Sequence, residues 1–193
     1  MEQSLNRGSE FNTLTTQRGE RRAAWRGALF VFVIASIFWL GAANIRILVG
    51  NTLLQTGTLN FEEYLAPDAE KEIFRLLSII SLVAISGYAV SLVSSLVFLA
   101  TMPLKLREHG WLMMSAILFY LFVPVEAFAM FLDGKMIYLE FFTTADRQIF
   151  RELFIARVAA LAGAPFIAGL CYYTIIGLAI FQPMKKKMSL HET

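Results

Sequence analysis

Four long apolar stretches constrain this chain more than any other feature of its sequence. They cover residues 28–49, 73–102, 111–132 and 153–181, and each is bounded by charged residues or by a turn residue. About 20 mostly apolar residues suffice for a helix to cross the hydrocarbon core of a bilayer. Because lipid cannot satisfy backbone N–H and C=O groups, such stretches must satisfy them internally as helices. The sequence therefore predicts an all-α membrane protein, a bundle of four transmembrane helices.

The composition supports lipid as the surrounding solvent. Of the 193 residues, 57% are hydrophobic and 17% are charged, and the mean hydropathy is +0.60. Soluble domains carry about 45–50% apolar and about 25% charged residues. The net charge of +2 gives no electrostatic reason to expect a nucleic-acid partner. The single cysteine, Cys171, excludes a disulfide within the chain.

The sequence divides into three parts. Residues 1–24 are rich in Ser, Thr, Asn, Gln and Arg and lack apolar periodicity, which predicts a disordered segment. Residues 25–182 form the transmembrane domain, and residues 183–193 form a basic tail. The first span follows arginines and ends in the small residues 41–43, as a cleavable signal peptide does, but its basic lead-in is long for a signal. We therefore expect the first span to be retained.

The distribution of charge predicts the orientation. Lysine and arginine flank the spans at residues 18–26, 105–107 and 185–187, which an even number of spans places on one side. Acidic residues concentrate in the two opposite loops, and Asp133 begins the second of them. Since basic flanks stay inside, both termini should be cytoplasmic. We expect a multi-pass protein of a bacterial inner (plasma) membrane.

The basic tail has two interpretations. Lys185, Lys186 and Lys187 follow Pro183, which ends the fourth apolar stretch. The simpler interpretation is a topology signal. The alternative is contact with anionic lipid headgroups, to which each such charge contributes about 1 kcal/mol near the surface.

The two halves of the chain resemble each other. Residues 70–75 align with residues 146–151, and at the same offset Gly87 meets Gly163. Each half then consists of a span, an outer loop, a charged helix start and a longer span. Two spans per half preserve orientation, so an internal repeat would give two tandem helical hairpins related by a pseudo-two-fold axis along the membrane normal. The alternative is that the same physical constraints shape two unrelated helix starts.

Small residues at helical spacing mark two of the spans. In lipid, close packing of small residues drives helix association. We therefore predict that spans two and four form the central contact of the bundle or contact another subunit, and that Pro124 and Pro165 kink their helices. The helix-packing faces consist of Gly87, Ser91 and Ser95 in span two and of Ala156, Ala160, Gly163 and Ala164 in span four.

An acid and two arginines fall within the spans. Glu126 lies about 10 Å from the outer end of span three, by the rise of an α-helix. A carboxylate in hydrocarbon requires a partner, so we predict an ion pair from Glu126 to Arg46 or Arg157, with a further hydrogen bond from Asn44. A structural tie between helices is the favoured interpretation, because one acid has two cationic partners. The alternative is a cation or proton site.

The sequence carries no catalytic or cofactor-binding motif. The two histidines, His109 and His191, lie outside the spans and could not ligate a haem inside a bundle. Cys/His clusters, glycine-rich phosphate loops and nucleophile elbows are absent from the sequence. We therefore expect neither a cofactor nor a metal, and a membrane enzyme acting on lipid is the least supported class.

The favoured function is that of a small membrane subunit. We expect the chain to pack within, or help assemble, a larger membrane complex, with the lipid bilayer, other membrane subunits or copies of itself as partners. The alternative is a small oligomeric transporter or channel that uses Glu126 with Arg46 and Arg157. Transport would need an ionisable site inside the membrane, whereas assembly needs only packing faces.

Overall fold

The computed structural model describes the chain in seven stretches. These are residues 2–55, 58–62, 65–103, 106, 109–143, 147–159 and 164–183, and residues 2–22 are described for the backbone alone. The helices in this part of the chain are α1 (Glu2–Asn51), α2 (Pro67–Thr101), α3 (Gly110–Leu121), α4 (Val123–Phe142), α5 (Arg147–Ala159) and α6 (Ala164–Phe181).

Four helical segments are long and apolar enough to cross a membrane. They are Ala23–Asn51, Pro67–Thr101, Gly110–Phe142 and Ala164–Phe181. The described residues contain no strand, although Leu54 and Phe61 form one isolated β-bridge. This confirms the prediction of an all-helical protein with four transmembrane helices.

The first helix begins earlier than the composition predicted. α1 starts at Glu2, so the backbone of residues 2–24 is helical where disorder was expected. Nucleation is the costly step of helix formation, and adding turns to an existing helix avoids it. The apolar part of α1 can therefore extend into a polar sequence that would not nucleate a helix alone.

The third span is interrupted, as Pro124 predicts. α3 ends at Leu121 and α4 begins at Val123, with Phe122 between them. Proline lacks the N–H that an uninterrupted helix requires, and here it occupies the first turn of α4, where that N–H is not needed. α4 then continues to Phe142, ten residues past the predicted end of the span, so the predicted boundary is wrong.

The predicted fourth span is described in two parts. The stretch expected to be one helix over residues 153–181 contains the end of α5 and all of α6, and residues 160–163 lie outside the described residues. Of these two described helices, α6 is long and apolar enough to span a membrane. The kink predicted at Pro165 concerns the turn that includes residues 160–163, so it stays a prediction.

The chain divides into two compact units. The first comprises Met1–Trp39 and Ser86–Pro103, and the second comprises Leu40–Ile85 and Leu104–Thr193. In the first unit α1 packs against α2, and the Trp39 and Tyr88 rings meet edge to face with centroids 4.8 Å apart. A side chain at Gly87 would clash with α1, because its Cβ would lie 3.0 Å from the Trp39 backbone nitrogen.

The second unit contains the apolar core and α3 to α6. α6 packs mainly against α3 and also against α4, while α5 packs against α4. One cluster of buried apolar side chains joins the end of α1, the start of α2, α4 and α5. Its members are Leu53, Phe74, Leu77, Met136, Phe150 and Phe154.

Candidate functional site

A buried network of charged side chains lies in the second unit. Arg46 of α1 forms an ion pair through Nη1 with Oδ2 of Asp133 on α4. Arg157 of α5 donates from Nε to the other oxygen, Oδ1, at 3.1 Å. Arg46 Nη1 also donates to the Ser81 hydroxyl oxygen at 2.7 Å. Two guanidinium groups thus share one carboxylate, and the contacts join side chains of four helices, α1, α2, α4 and α5.

The network lies next to the apolar cluster along each helix. Met136 follows Asp133 by three residues on α4, Phe154 precedes Arg157 by three on α5, and both belong to the cluster. Residues three apart share a helix face. An apolar layer therefore covers one side of the charged groups. With little water nearby, the two arginines depend on Asp133 for compensation of their charge.

Asp133, not Glu126, is the carboxylate that both arginines contact. The prediction paired Glu126 with Arg46 or Arg157; Arg46 pairs with Asp133 instead, whereas Glu126 does interact with Arg157. Glu126 lies half-buried in the first turn of α4 and interacts with the Arg157 guanidinium and with the Tyr172 hydroxyl, while Asp133 repels it. The network then alternates in sign from Glu126 through Arg157 and Asp133 to Arg46.

Asn44 has a different partner from the one predicted. Its side-chain amide donates to the Leu40 carbonyl oxygen at 2.8 Å and to the Tyr173 hydroxyl. These bonds tie α1 to α6 at an exposed position rather than adding to the charge network. One polar atom of the network lacks such a bond: Nη2 of Arg46 is buried without a hydrogen-bond partner among the described residues.

A second ion pair joins α2 to α5. Arg151 donates from Nε and Nη2 to the two carboxylate oxygens of Glu70, at 2.5 and 2.8 Å. This hydrogen bonding raises the pKa of the Arg151 guanidinium. Phe74 lies one turn along α2 from Glu70, and Phe150 precedes Arg151 on α5. Their rings stack, with centroids 4.2 Å apart and planes 20° from parallel. Glu70 is 2% exposed.

The described neighbours of the predicted helix-packing faces belong to other parts of the chain, and not to the opposite face. In span two, Gly87 contacts α1, and the Ser91 hydroxyl lies 3.3 Å from that of Ser36, also on α1. Ser95 is buried and donates to a carbonyl of its own helix. In span four, Ala156 is exposed and Ala164 is half-buried. Ala160 and Gly163, like Lys185, Lys186 and Lys187, lie outside the described residues.

The charge network links side chains of different helices. Within the described residues, no group of three or more His, Cys, Asp or Glu side chains is placed to hold a metal ion. The two arginines and Asp133 contact one another. Glu126, which interacts with the Tyr172 hydroxyl, adds one ionisable group at the helix break.

Comparison with known proteins adds no relative. No family model, no curated protein and no solved structure matches the chain significantly.

Proposed function

We propose that the chain is a small, non-catalytic integral membrane subunit that packs within, or helps assemble, a larger membrane protein complex. The observation that carries this proposal is a groove of about 590 Å³ between α1 and α2 of the first unit. Alanine, glycine and serine make up more than half of its walls, and valine makes up the rest. The lining residues are Ala23, Ala24, Gly27, Ala28, Val31, Ala89, Val90, Val93, Ser94 and Val97.

Two glycines of the first unit, Gly27 and Gly87, differ in their surroundings. A Cβ built on Gly87 would lie 3.0–3.2 Å from atoms of α1, so that glycine is used for close packing within the chain. A Cβ built on Gly27 would meet no heavy atom within 4 Å. In lipid, small faces associate because they let helix backbones approach closely. The groove beside Gly27 therefore suits a transmembrane helix of another subunit.

The charge network supports a structural role. Asp133 neutralises the buried Arg46, and the ion pairs of Asp133 with Arg46 and Arg157 hold helices together. A subunit that organises neighbours needs a fixed shape. An ion pair between helices is one way to specify that shape.

The proposal is tested by purification in a mild detergent with mass spectrometry of what co-purifies. We expect a stoichiometric membrane partner for the wild type and for Gly177→Leu, a matched control at an equally open glycine of α6. Gly27→Leu should lose that partner while keeping its helical content. A clean monomer in the wild type, or a partner that survives Gly27→Leu, contradicts the proposal. A complex made only of this chain would instead indicate self-association through the groove.

The alternative is a small oligomeric transporter or channel. One observation favours it: the third span is interrupted at Phe122, which places Glu126 in the first turn of α4 beside Arg157. Interrupted helices in membranes often line ion or substrate sites. In liposomes, Glu126→Gln should then change the flux or its dependence on pH, whereas Glu72→Gln, an exposed control on α2, should not. Equal flux in both variants would exclude a role for Glu126.

We also propose that both termini lie in the cytoplasm, with the protein in a bacterial inner membrane. The lysines and arginines that flank the spans on one side support this orientation. In the same arrangement Lys185, Lys186 and Lys187 would face the inner headgroups. Tags on the two termini should both report from the inner face of the membrane, and a tag outside would refute the orientation.

We further propose an internal repeat of two tandem helical hairpins. Phe74 and Phe150 are equivalent positions in the alignment of residues 70–75 with 146–151, and their rings stack on each other. Equivalent residues meet each other only close to a two-fold axis, which supports pseudo-symmetry. Phe74→Ala and Phe150→Ala should then lower the free energy of unfolding by similar amounts, and together by less than their sum. Additive and unequal losses would contradict the repeat.

A further inference from the structure

A second groove runs between α4 and α5 in the second unit. Its volume is about 720 Å³. The residues that line it are Phe131, Gly134, Lys135, Tyr138, Leu139, Ile149, Glu152, Leu153 and Ala156. Apolar side chains dominate, yet one cation and one anion belong to the same lining.

The groove lies on the outward side of α4. Asp133 and Met136 are buried in the bundle, whereas Phe131 and Tyr138 are more than half exposed. The Tyr138 ring stacks on that of Phe142, with centroids 5.7 Å apart, near the end of the span. Exposed aromatic rings near a span end are typical of the membrane interface. The groove therefore meets lipid at the depth where acyl chains join headgroups.

The two charges of the groove form no ion pair with another described residue. The Lys135 ammonium lies 4.4 Å from the centroid of the Phe131 ring. The Glu152 carboxylate accepts a 3.2 Å hydrogen bond from the neutral Gln148 amide. Elsewhere in this unit, the buried acids Asp133 and Glu70 are paired with arginines. Among the described residues, the groove thus presents one charge of each sign outside any ion pair.

We propose that this groove binds one zwitterionic glycerophospholipid with an ethanolamine headgroup. The phosphate faces Lys135, the ammonium faces Glu152, and an acyl chain lies along Gly134, Leu153 and Ala156. Charge complementarity selects this ligand, because one cation and one anion match a headgroup of zero net charge. An anionic headgroup would leave Glu152 without a cation, and a trimethylated headgroup has no N–H to donate to it.

Native mass spectrometry of the full-length protein tests the headgroup. The detergent-purified protein is offered phosphatidylethanolamine, phosphatidylcholine and phosphatidylglycerol with identical acyl chains. We expect phosphatidylethanolamine to be retained most strongly. Lys135→Met should lower its retention about fivefold, the effect of one interfacial charge. Glu152→Gln should shift the preference to phosphatidylglycerol. Exposed α2 residues outside the groove supply the controls, Lys71→Met and Glu72→Gln, which should change nothing.

A steric variant keeps the test independent of charge. A Cβ on Gly134 would meet no heavy atom within 4 Å, so Gly134→Leu fills the groove without disturbing packing. It should retain none of the three lipids specifically, while Gly177→Leu, the matched control, should bind as the wild type does. Both should unfold as the wild type does or be slightly more stable.

Each possible outcome either supports the lipid site or overturns it. A preference for phosphatidylethanolamine that Gly134→Leu abolishes supports the lipid site. Equal retention of all three headgroups, or retention unchanged by a folded Gly134→Leu, overturns it. Loss of a protein partner or of a dimer in Gly134→Leu would show that a helix occupies the groove, which also overturns it. The inference does not rest on the proposed subunit function, whose test uses Gly27 in the other unit.

Discussion

Replacing Asp133 by asparagine tests the buried charge network most directly. The substitution keeps the side-chain shape and removes the carboxylate that both arginines contact. The side chains of Arg46 and Asp133 are 8% and 4% exposed, so water cannot replace the lost partner. Removing one member of a buried ion pair costs about 3–5 kcal/mol. The Arg157 side chain is 21% exposed and can recover some hydration, so the loss of its contact with Asp133 should add little to this cost.

The assay is equilibrium unfolding in mixed micelles, followed by helical content. We expect Asp133→Asn to lower the free energy of unfolding by about 3–5 kcal/mol. Replacing the triad by apolar residues, as Arg46→Met, Asp133→Leu and Arg157→Met together, should restore stability to the wild-type value or above it, because the two guanidinium groups that Asp133 compensates are removed together with it. Glu126→Gln, which removes no direct ion pair, is the control and should cost less than about 1 kcal/mol.

Two results would refute this reasoning. The first is a loss below about 1 kcal/mol in Asp133→Asn, which is the range of an exposed surface pair. The second is a triple variant no more stable than Asp133→Asn. That outcome would mean that the damage comes from lost shape rather than from two uncompensated guanidinium groups.

Two further predictions concern packing and the outer ion pair. Gly87→Leu should lower the free energy of unfolding by about 3 kcal/mol, because a Cβ there would lie 3.0 Å from the Trp39 backbone nitrogen. Gly177→Leu is the control, since a Cβ on Gly177 would meet no heavy atom within 4 Å. Equal stability of the two variants would contradict the close approach of the helices at Gly87. Glu70→Gln should cost about 1–2 kcal/mol in the same assay, less than Asp133→Asn because Arg151 is 37% exposed and can turn to water. The Glu70 bond raises the pKa of Arg151, so this contribution is present below the ordinary arginine pKa and is lost only as pH rises beyond it; the difference from the wild type should be the same at pH 7 and pH 9.

The hydropathy of the sequence predicts the number of spans but not their ends. The third span was expected to stop at residue 132, because Asp133, Gly134 and Lys135 together resemble a helix end and a loop. α4 continues because Asp133 finds two arginines inside the bundle, a contact between distant parts of the chain that local sequence does not contain. One signal was present in the sequence: Asp133 lies seven residues from Glu126, two turns along the same face.

The sequence identified the charged groups within the spans better than it identified their partners. Glu126, Arg46 and Arg157 were recognised as costly charges in apolar surroundings, and the structure places all three around Asp133. Which acid pairs with which arginine depends on helix packing. That packing brings together residues far apart in the sequence, and a hydropathy profile contains no information about such contacts. The outer pair of Glu70 and Arg151 escaped prediction for the same reason, since both look like ordinary charged residues of a first turn.

Two neighbouring charges on α4 show where recognition by other molecules should be sought. Asp133 faces the bundle and is neutralised there, so it offers nothing to a ligand or a partner. Lys135, two residues later, faces outward, and its ammonium lies 4.4 Å from the centroid of the Phe131 ring. A charge exposed to lipid without a partner is costly unless headgroups or other molecules compensate it. The outward face of α4, and not the buried network, should therefore determine which lipid this protein selects. If Lys135→Met left the lipid preference intact while Asp133→Asn abolished it without unfolding the chain, this assignment of roles would be reversed.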